Sequence, residues 1–484
     1  MSLISRRSFL AVSAGAASVP VIGGVSYAAE TDVAVVGAGA AGIAAARRIA
    51  AAGKRVIVLE AGDRVGGRCL TDTEFFGEAF DLGAHWLHAP EKNPLARLGP
   101  QVGLSIYPAP PGQKVRIGRR NAREGELEGY LSVVARAKRA IEDASRGRAD
   151  MSLAQAMPKD LGEWQPSVEF FLGPFSCGKD FAELSVADFT RSSERDVDAF
   201  CREGFGALLT RLAEGVPVQL ATPVTKIASA RGGWVIETAK GSLQARAVIV
   251  TASTNALLDG KIGFAPGLPK RQLEALSRLR LGTYERIVLE IPGNAFGLAR
   301  DDLVFEKADG KRTAALLANA GGSSLSYIDV AGSFGRELAS KGPREMTAFA
   351  SEWIDKLFGA DAKKAIKRSY ATQWLSAPYV QGAFSAAAVG GQSSRRILME
   401  PLFDRVFYAG EAAHETLWGT VGGAWESGER AADAALKLVG TPATTTSSVP
   451  AQRQQRQAPA KQQQPPRPQR REQMPFGVPR ISID

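Results

Sequence analysis

The sequence predicts an α/β protein built around a dinucleotide-binding strand, glycine turn and helix, and three observations carry that expectation. Residues 32–36 (DVAVV) have the pattern of a short buried strand and run into Gly37-Ala38-Gly39-Ala40-Ala41-Gly42, after which an alanine-rich helical stretch continues to Ala52. Residues 54–59 (KRVIVL) give a second buried strand that leads into Glu60, eighteen positions after Gly42. The 484 residues are 45% apolar with only three Cys and three His, which allows a large core and excludes a mini-protein, a disulfide scaffold and a wholly disordered chain.

Each part of that unit has a physical reason. Gly37 permits the tight turn, Gly39 lets a pyrophosphate approach the backbone, and Gly42 lets helix and strand pack closely, with Ala41 beside it on the turn. The phosphates then meet the helix N-terminus, where free amides and the helix dipole favour anions. Glu60 stands where a carboxylate accepts hydrogen bonds from the adenosine ribose, and an acid there disfavours a 2′-phosphate.

The formal charge of +10 would by itself suggest an anionic partner, but most of it sits at the two ends. Residues 441–484 carry seven Lys or Arg against Glu472 and Asp484, residues 1–29 add Arg6 and Arg7, and only +3 is left on residues 30–440. With eight Pro and nine Gln, 441–484 has too little apolar surface to offset its ordering entropy, so a disordered Pro/Gln/Arg-rich basic tail is expected. Tethering to anionic envelope polymers or nucleic acid is the alternative; no aromatic platform interleaves with the charges, which argues against a dedicated nucleic-acid binder. At the other end, Ser5-Arg6-Arg7-Ser8-Phe9-Leu10 and the weakly apolar stretch to Tyr27 resemble a twin-arginine signal peptide over 1–29, cleaved near Ala28 or Ala29. Pro20 and the glycines make this run a poor bilayer span, so no stable membrane span is expected. The resemblance implies the twin-arginine translocase as a partner during export, a periplasmic or secreted location, and folding around a cofactor before transport. In an exported protein a pair among Cys69, Cys177 and Cys201 can bridge; Cys177 with Cys201 is favoured, and spacing leaves the choice open. His85, His88 and His414 have no metal-ligand spacing, so no metal is expected.

Residues 61–71 read AGDRVGGRCLT. An Arg, two glycines and a second Arg directly after the ribose acid, here Arg64, Gly66, Gly67 and Arg68, resemble the FAD-binding signature of the flavin-containing amine oxidase superfamily. The glycines let the backbone lie close to the cofactor and Arg68 offers a fixed fork of donors. The resemblance runs from about residue 32 to 438, with polyamine oxidases the nearest branch. Residues 81–95 (DLGAHWLHAPEKNPL) are similar to the polyamine oxidase segment whose active-site His matches His88. Residues 217–252, alternating strands with a hairpin around Gly232 and Gly233, resemble the segment that contacts adenine through the backbone of Val224. The strand 406–409 (VFYA) with Gly410 and Glu411 resembles the motif that holds the ribityl chain, and 419–424 (GTVGGA) opens a helix whose first amides, around Thr420 and Val421, would stabilise negative charge on the flavin.

What the resemblance implies is an FAD-binding Rossmann-type (two-dinucleotide-binding-domain flavoprotein) α/β fold with an α+β substrate-binding domain. The FAD domain is expected to be discontinuous, 30–95, 206–285 and 385–440, and the substrate domain to comprise 96–205 and 286–384, with helices over 127–144 and 344–358 and a strand over 287–291. The implied reaction passes a hydride equivalent to flavin N5 from the carbon beside a neutral primary or secondary amine, with polyamines favoured, and the imine then hydrolyses to aldehyde plus amine; no protein nucleophile is needed.

Candidate site residues follow from the same resemblance. Phe384, in 379–385 (YVQGAFS), takes one aromatic wall of the slot; the second wall position is Thr420, with Trp418 two residues away. Ala383 stands where monoamine oxidases have the Cys that bonds the flavin, so FAD is expected to be non-covalent. Arg286, in 282–289 (GTYERIVL), replaces the Lys that usually holds a water assisting reoxidation by O2, and an always-charged rigid fork is not equivalent to Lys. A dehydrogenase passing electrons to a periplasmic cytochrome or quinone therefore stands beside an O2-using oxidase. His88 is the candidate to orient the amine. Acids between Asp180 and Asp198 are candidates to read distal ammonium groups, or form a solvated helix face. Competing readings are an L-amino-acid oxidase, which an Arg placed to clamp a carboxylate would mark, a flavin desaturase, and a redox-inactive FAD-bound envelope binding protein.

Overall fold

The computed structural model describes residues 31–192 and 197–440; residues 1–30, where the twin-arginine signal is expected, residues 193–196 and the expected basic tail, 441–484, lie outside the described residues. β1 (Thr31–Val36) is buried along its whole length. It pairs in parallel with β2 (Val56–Leu59) on one side, Val33 opposite Val56, and with Gly241–Val250 on the other, Val33 opposite Ala247. Parallel strands covered on both faces need apolar residues at consecutive positions, which is why these segments read VAVV, VIVL and AVIV. The helix α1 (Ala40–Ala51) joins β1 to β2. The sheet continues through Gly233–Thr238 and Val224–Ala230 to Gly263–Ala265, and Val406–Tyr408 joins it in parallel at Val248. The expected hairpin closes with Ala230 opposite Gly233.

The last helix, Val421–Val439, lies against α1, and they approach so closely that a Cβ on Gly428 would sit 2.1 Å from Ala41 O. The two helices thereby cover the same face of the first sheet, packing on Val33, Val35 and Val58.

A second sheet of seven strands runs in the order Arg368–Ala371, Tyr284–Glu290, Leu325–Ala331, Ala315–Ala318, Asp302–Glu306, Lys114–Ile117 and Arg120–Asn121. Ile287, Leu289 and Ile328 face the helices Gly332–Ser340 and Pro343–Phe358 and pack with Phe349, Trp353 and Leu357. The alternate residues of the same strand, Tyr284, Arg286 and Val288, face the other way, as a period of two requires. A third cluster is built on the long helix Glu124–Ser145. The strand Tyr284–Glu290 crosses the boundary expected at residue 285.

The Cys177–Cys201 bridge is not formed. Cys177 belongs to the cluster around Tyr130 and Trp164, where its Sγ meets Leu172 O at 3.6 Å; Cys201 lies among Leu87, Leu95 and Leu208, with its Sγ 3.7 Å from Glu203 Oε2. The helical turn carrying Cys177 and the strand carrying Cys201 are held by different cores. Among the described residues no helix is long and apolar enough to cross a membrane, and no cluster of His, Cys, Asp or Glu could hold a metal ion.

Candidate active site

A cavity of about 690 Å³ is walled on one part by the glycine turn after β1 and on another by the second sheet and the helical cluster. Gly37 adopts φ +105, and a Cβ there would lie 2.4 Å from Thr251 Oγ1, so the turn requires glycine. Gly39 bridges Gly66, and a Cβ on Gly67 would come within 3.2 Å of Gly39 Cα. The two glycine loops thus form one cradle of bare backbone. Glu60 is fixed at its lip, Oε2 accepting from Ala38 N (2.6 Å) and Oε1 from Gly62 N (2.8 Å), and Ala41 and Val224 complete this part of the wall.

Two expected contacts are not among the walling residues. Gly42 lies beneath the turn, where a Cβ would sit 1.9 Å from Gly37 O. Arg64 donates to Val65 O (3.0 Å), Gly67 O (2.8 Å) and Cys69 O (3.3 Å), so it braces the loop from behind instead of facing a ligand.

Glu411 is the junction that assembles the middle of the site. Its buried carboxylate accepts from Arg68 Nη1 (2.9 Å), Ser385 N (3.1 Å), Ser385 Oγ (2.7 Å) and Gly419 N (3.1 Å). Arg68 Nη1 also donates to Ala383 O (2.6 Å). Segments more than thirty residues apart are so drawn together that a Cβ on Gly419 would lie 3.2 Å from the Phe384 ring. Trp418 is buried beside them with the Arg395 guanidinium 4.6 Å over its ring. Arg395 in turn makes a two-pronged pair with Asp188 (2.7 and 2.8 Å). Thr420 serves as the N-cap of Val421–Val439: its Oγ1 accepts from Gly423 N (2.9 Å) and donates to Leu417 O (2.7 Å). Its hydroxyl is therefore committed to the helix, while Gly410, Thr420 and Val421 all reach the cavity wall.

Arg286 is also committed. Asp329 lies directly opposite it in the sheet register. Arg286 Nε and Nη2 donate to the Asp329 carboxylate at 2.8 and 3.2 Å, and Nη1 donates to Asp81 O (3.1 Å) and Gly83 O (3.0 Å). Four of its five N–H bonds are thereby used, and the guanidinium lies 4.6 Å over the Tyr327 ring. Burial opposes its charge, but Asp329 outweighs burial and raises its pKa further above the ordinary arginine value. Tyr284 Oη donates to the same carboxylate (2.8 Å), and burial with that neighbouring charge keeps the phenol protonated.

His85 and His88 line the cavity, and His414 does not. His88 reaches the cavity with Nδ1 bonded to Asp198 (2.7 Å) on the neighbouring strand. His85 is tied to Asp81 (2.8 Å) and stacked on Phe200. His414 is outside the wall, bonded to Glu426 (3.1 Å), and burial lowers its pKa. Of the expected acids, Asp180 holds Lys311 and Ser333, Glu183 lies 3.5 Å from Arg336, and Asp188 holds Arg395; only Asp198 reaches the cavity, while Glu194 and Asp196 lie outside the described residues.

A family profile described as flavin containing amine oxidoreductase matches residues 40–436. The chain belongs to that family. Among curated relatives, Lysine-specific histone demethylase 2 of Homo sapiens is 26% identical over 445 residues, covering 83% of this chain and 53% of that protein. Polyamine oxidase 4 of Oryza sativa subsp. japonica is 28% identical over 442 residues, covering 85% of this chain and 90% of that protein. The chain spans about half the length of the histone demethylases it matches. Among solved structures, wild-type putrescine oxidase bound to putrescine superposes with a TM-score of 0.71 at 20% identity, over 84% of this chain and 98% of that one. Cyclohexylamine oxidase from Brevibacterium oxydans IH-35A gives 0.72 at 20% identity, over 85% and 100%. At that identity the likeness is one of fold.

By family the protein is a flavin-containing amine oxidoreductase, and its cofactor is FAD. The wall fits that group: a carboxylate for a ribose, bare backbone for a pyrophosphate, and an N-capped helix terminus for the electron-rich edge of a flavin. Sequence reasoning missed Tyr284, Phe171 and Phe175, which also line the cavity, and Asp329, which orders two of its residues. The alternation of Tyr284 with Arg286 was the available signal for Tyr284. Nothing local marks Asp329, 43 positions from Arg286.

Proposed function

We propose an exported flavoenzyme with non-covalent FAD that oxidises a primary or secondary amine to an imine, which water then splits into an aldehyde and an amine or ammonia. The observation that carries this reading is the single cavity joining the glycine cradle to an apolar slot where Phe384 and Tyr284 stand with ring centroids 6.0 Å apart. When bound, the flavin supplies the acceptor for a hydride equivalent from the carbon beside the nitrogen and hands the electron pair to O2 or another acceptor. The side chains of the slot exclude water and favour the neutral amine, whose lone pair forms the C=N bond as that C–H bond breaks. His88, fixed at Nδ1 by Asp198, keeps Nε2 for the amine. Ala383 offers no sulfur for a bond to the cofactor. The FAD-binding part is assigned to 30–95, 206–285 and 385–440, and the substrate part to 96–205 and 286–384. Support for export through the twin-arginine translocase to the periplasm comes from the motif at Arg6-Arg7 and from a cofactor suited to folding before transport.

Two specific observations bear on the alternatives. Arg286 has a single N–H left over, which supports the dehydrogenase form with a cytochrome or quinone acceptor alongside the O2-using oxidase. Of the arginines that wall the cavity among the described residues, Arg286 is bound to Asp329 and Arg68 to Glu411, so neither is placed as a free clamp for an amino-acid carboxylate. The test is anaerobic mixing of purified holoprotein with amines, with amino acids, and with neither, following the visible flavin absorption. Bleaching by amines alone is expected; bleaching by amino acids alone, or by nothing, would overturn the reading.

A further inference from the structure

We infer that the substrate is a monoamine with an apolar aryl or alkyl body, held along a row of four aromatic rings, in preference to a polyamine. This rests on the amine-oxidising reading above and goes further by naming the body of the amine.

The row begins in a π-helical turn, Phe171–Phe175 (FLGPF). Such turns insert an extra residue into a helix and are frequent at functional sites. Here the turn is rigid: Gly178 N donates to Pro174 O (2.8 Å), Thr283 N to Gly178 O (2.9 Å), and a Cβ on Gly332 would press to 2.8 Å against Pro174. It sets Phe171 and Phe175 in a stacked pair with centroids 6.4 Å apart. The buried ring of Phe305 supports both edge-on from behind, at 5.5 and 5.0 Å. Phe175 then lies 6.1 Å from Tyr284, and Tyr284 6.0 Å from Phe384. All four rings are only half-buried and line the cavity, so their uncovered surface is presented to whatever enters it. The one polar atom in the row, Tyr284 Oη, already donates to Asp329.

The carboxylates of the wall do not answer for a second ammonium along this row. Asp198 is paired with His88; Asp301 is enclosed, accepting from Gly321 N (2.6 Å) and Tyr107 Oη (3.2 Å); Glu142 stands one helical turn from Lys138, which also faces the cavity. A distal ammonium lying among the rings would shed its water for ring faces that replace only part of that hydration. An aryl or alkyl body gains from the same burial.

The experiment uses the holoenzyme under anaerobic conditions, with the rate of flavin bleaching measured against concentration for benzylamine, 2-phenylethylamine and hexylamine beside putrescine and spermidine. The monoamines are expected to be favoured by at least about tenfold in rate over half-saturating concentration. Equal or reversed preference overturns the inference while leaving amine oxidation intact, whereas no bleaching by any amine overturns the underlying reading instead. Independently of turnover, α,α-dimethylbenzylamine, which has no hydrogen on the carbon beside nitrogen, should bind and perturb the flavin spectrum. Phe175→Ala, or Phe175→Leu if the first variant does not fold, should weaken that binding about tenfold and leave the resting spectrum unchanged; unaltered binding would overturn the assignment of the row.

Discussion

Changing Asp329 to Asn isolates the buried Arg286–Asp329 pair beside the cavity. The side chains of Arg286 and Asp329 are only 4% and 5% exposed, and the two contacts between them are 2.8 and 3.2 Å. The amide keeps the shape but leaves the guanidinium charged, buried and facing neutral acceptors alone. Breaking a buried pair from one side costs about 3–5 kcal/mol, because the remaining charge is uncompensated. Tyr284→Phe removes one hydrogen bond to the same carboxylate while the pair survives, and should cost about 1.5–3 kcal/mol. Replacing both partners by apolar residues, as in Arg286→Met with Asp329→Leu, should cost less than Asp329→Asn. Guanidinium unfolding in saturating FAD, followed by tryptophan fluorescence, measures the series. If Asp329→Asn lies within about 1 kcal/mol of the parent, the pair does not carry the role given to it.

Two further outcomes are expected. Arg286→Lys should accelerate reoxidation by O2 in stopped-flow mixing while leaving anaerobic reduction by amine similar, since a lysine can hold a water that the committed fork cannot; an unchanged oxygen rate refutes that account. Lys179, buried with Nζ on Ala386 O (2.7 Å), has its pKa pushed by burial from 10.5 down to about 8. Below about pH 8 the unfolded chain and the folded chain are both protonated there and burial of the charge costs stability; between 8 and 10.5 the folded state has already lost the proton and that cost is progressively recovered. Lys179→Met should therefore gain up to about 3 kcal/mol near pH 7, shrinking as pH rises toward 10.5, in unfolding measured across that range.

The cradle was legible because its constraints are local. Gly37, Gly39 and Glu60 are fixed by one turn and the next strand, and the consecutive apolar residues of β1 and β2 mark strands buried on both faces. The helices Glu124–Ser145 and Pro343–Phe358 were legible within a few residues for the same reason. What depended on distant partners was not legible. Arg64 resembles a ligand in sequence and is a loop brace in space. The acids from Asp180 to Asp188 resemble ammonium readers, but their partners are Lys311, Arg336 and Arg395, more than a hundred residues away. Nothing local in the FLGPF segment marks a wall, and only Phe305 and Tyr284 reveal that its rings form one.

In the proposed reaction this cavity removes two electrons from an amine and releases an aldehyde. A single anaerobic turnover measures it directly: holoprotein is mixed with excess 2-phenylethylamine, reduced flavin is read from its absorbance, and phenylacetaldehyde is trapped with a hydrazine and counted. The same turnover is repeated with putrescine and spermidine, their aldehydes trapped likewise, and one aldehyde per flavin reduced is expected with at least one of these amines. Bleaching without aldehyde, or a flavin that stays oxidised with every amine, contradicts it.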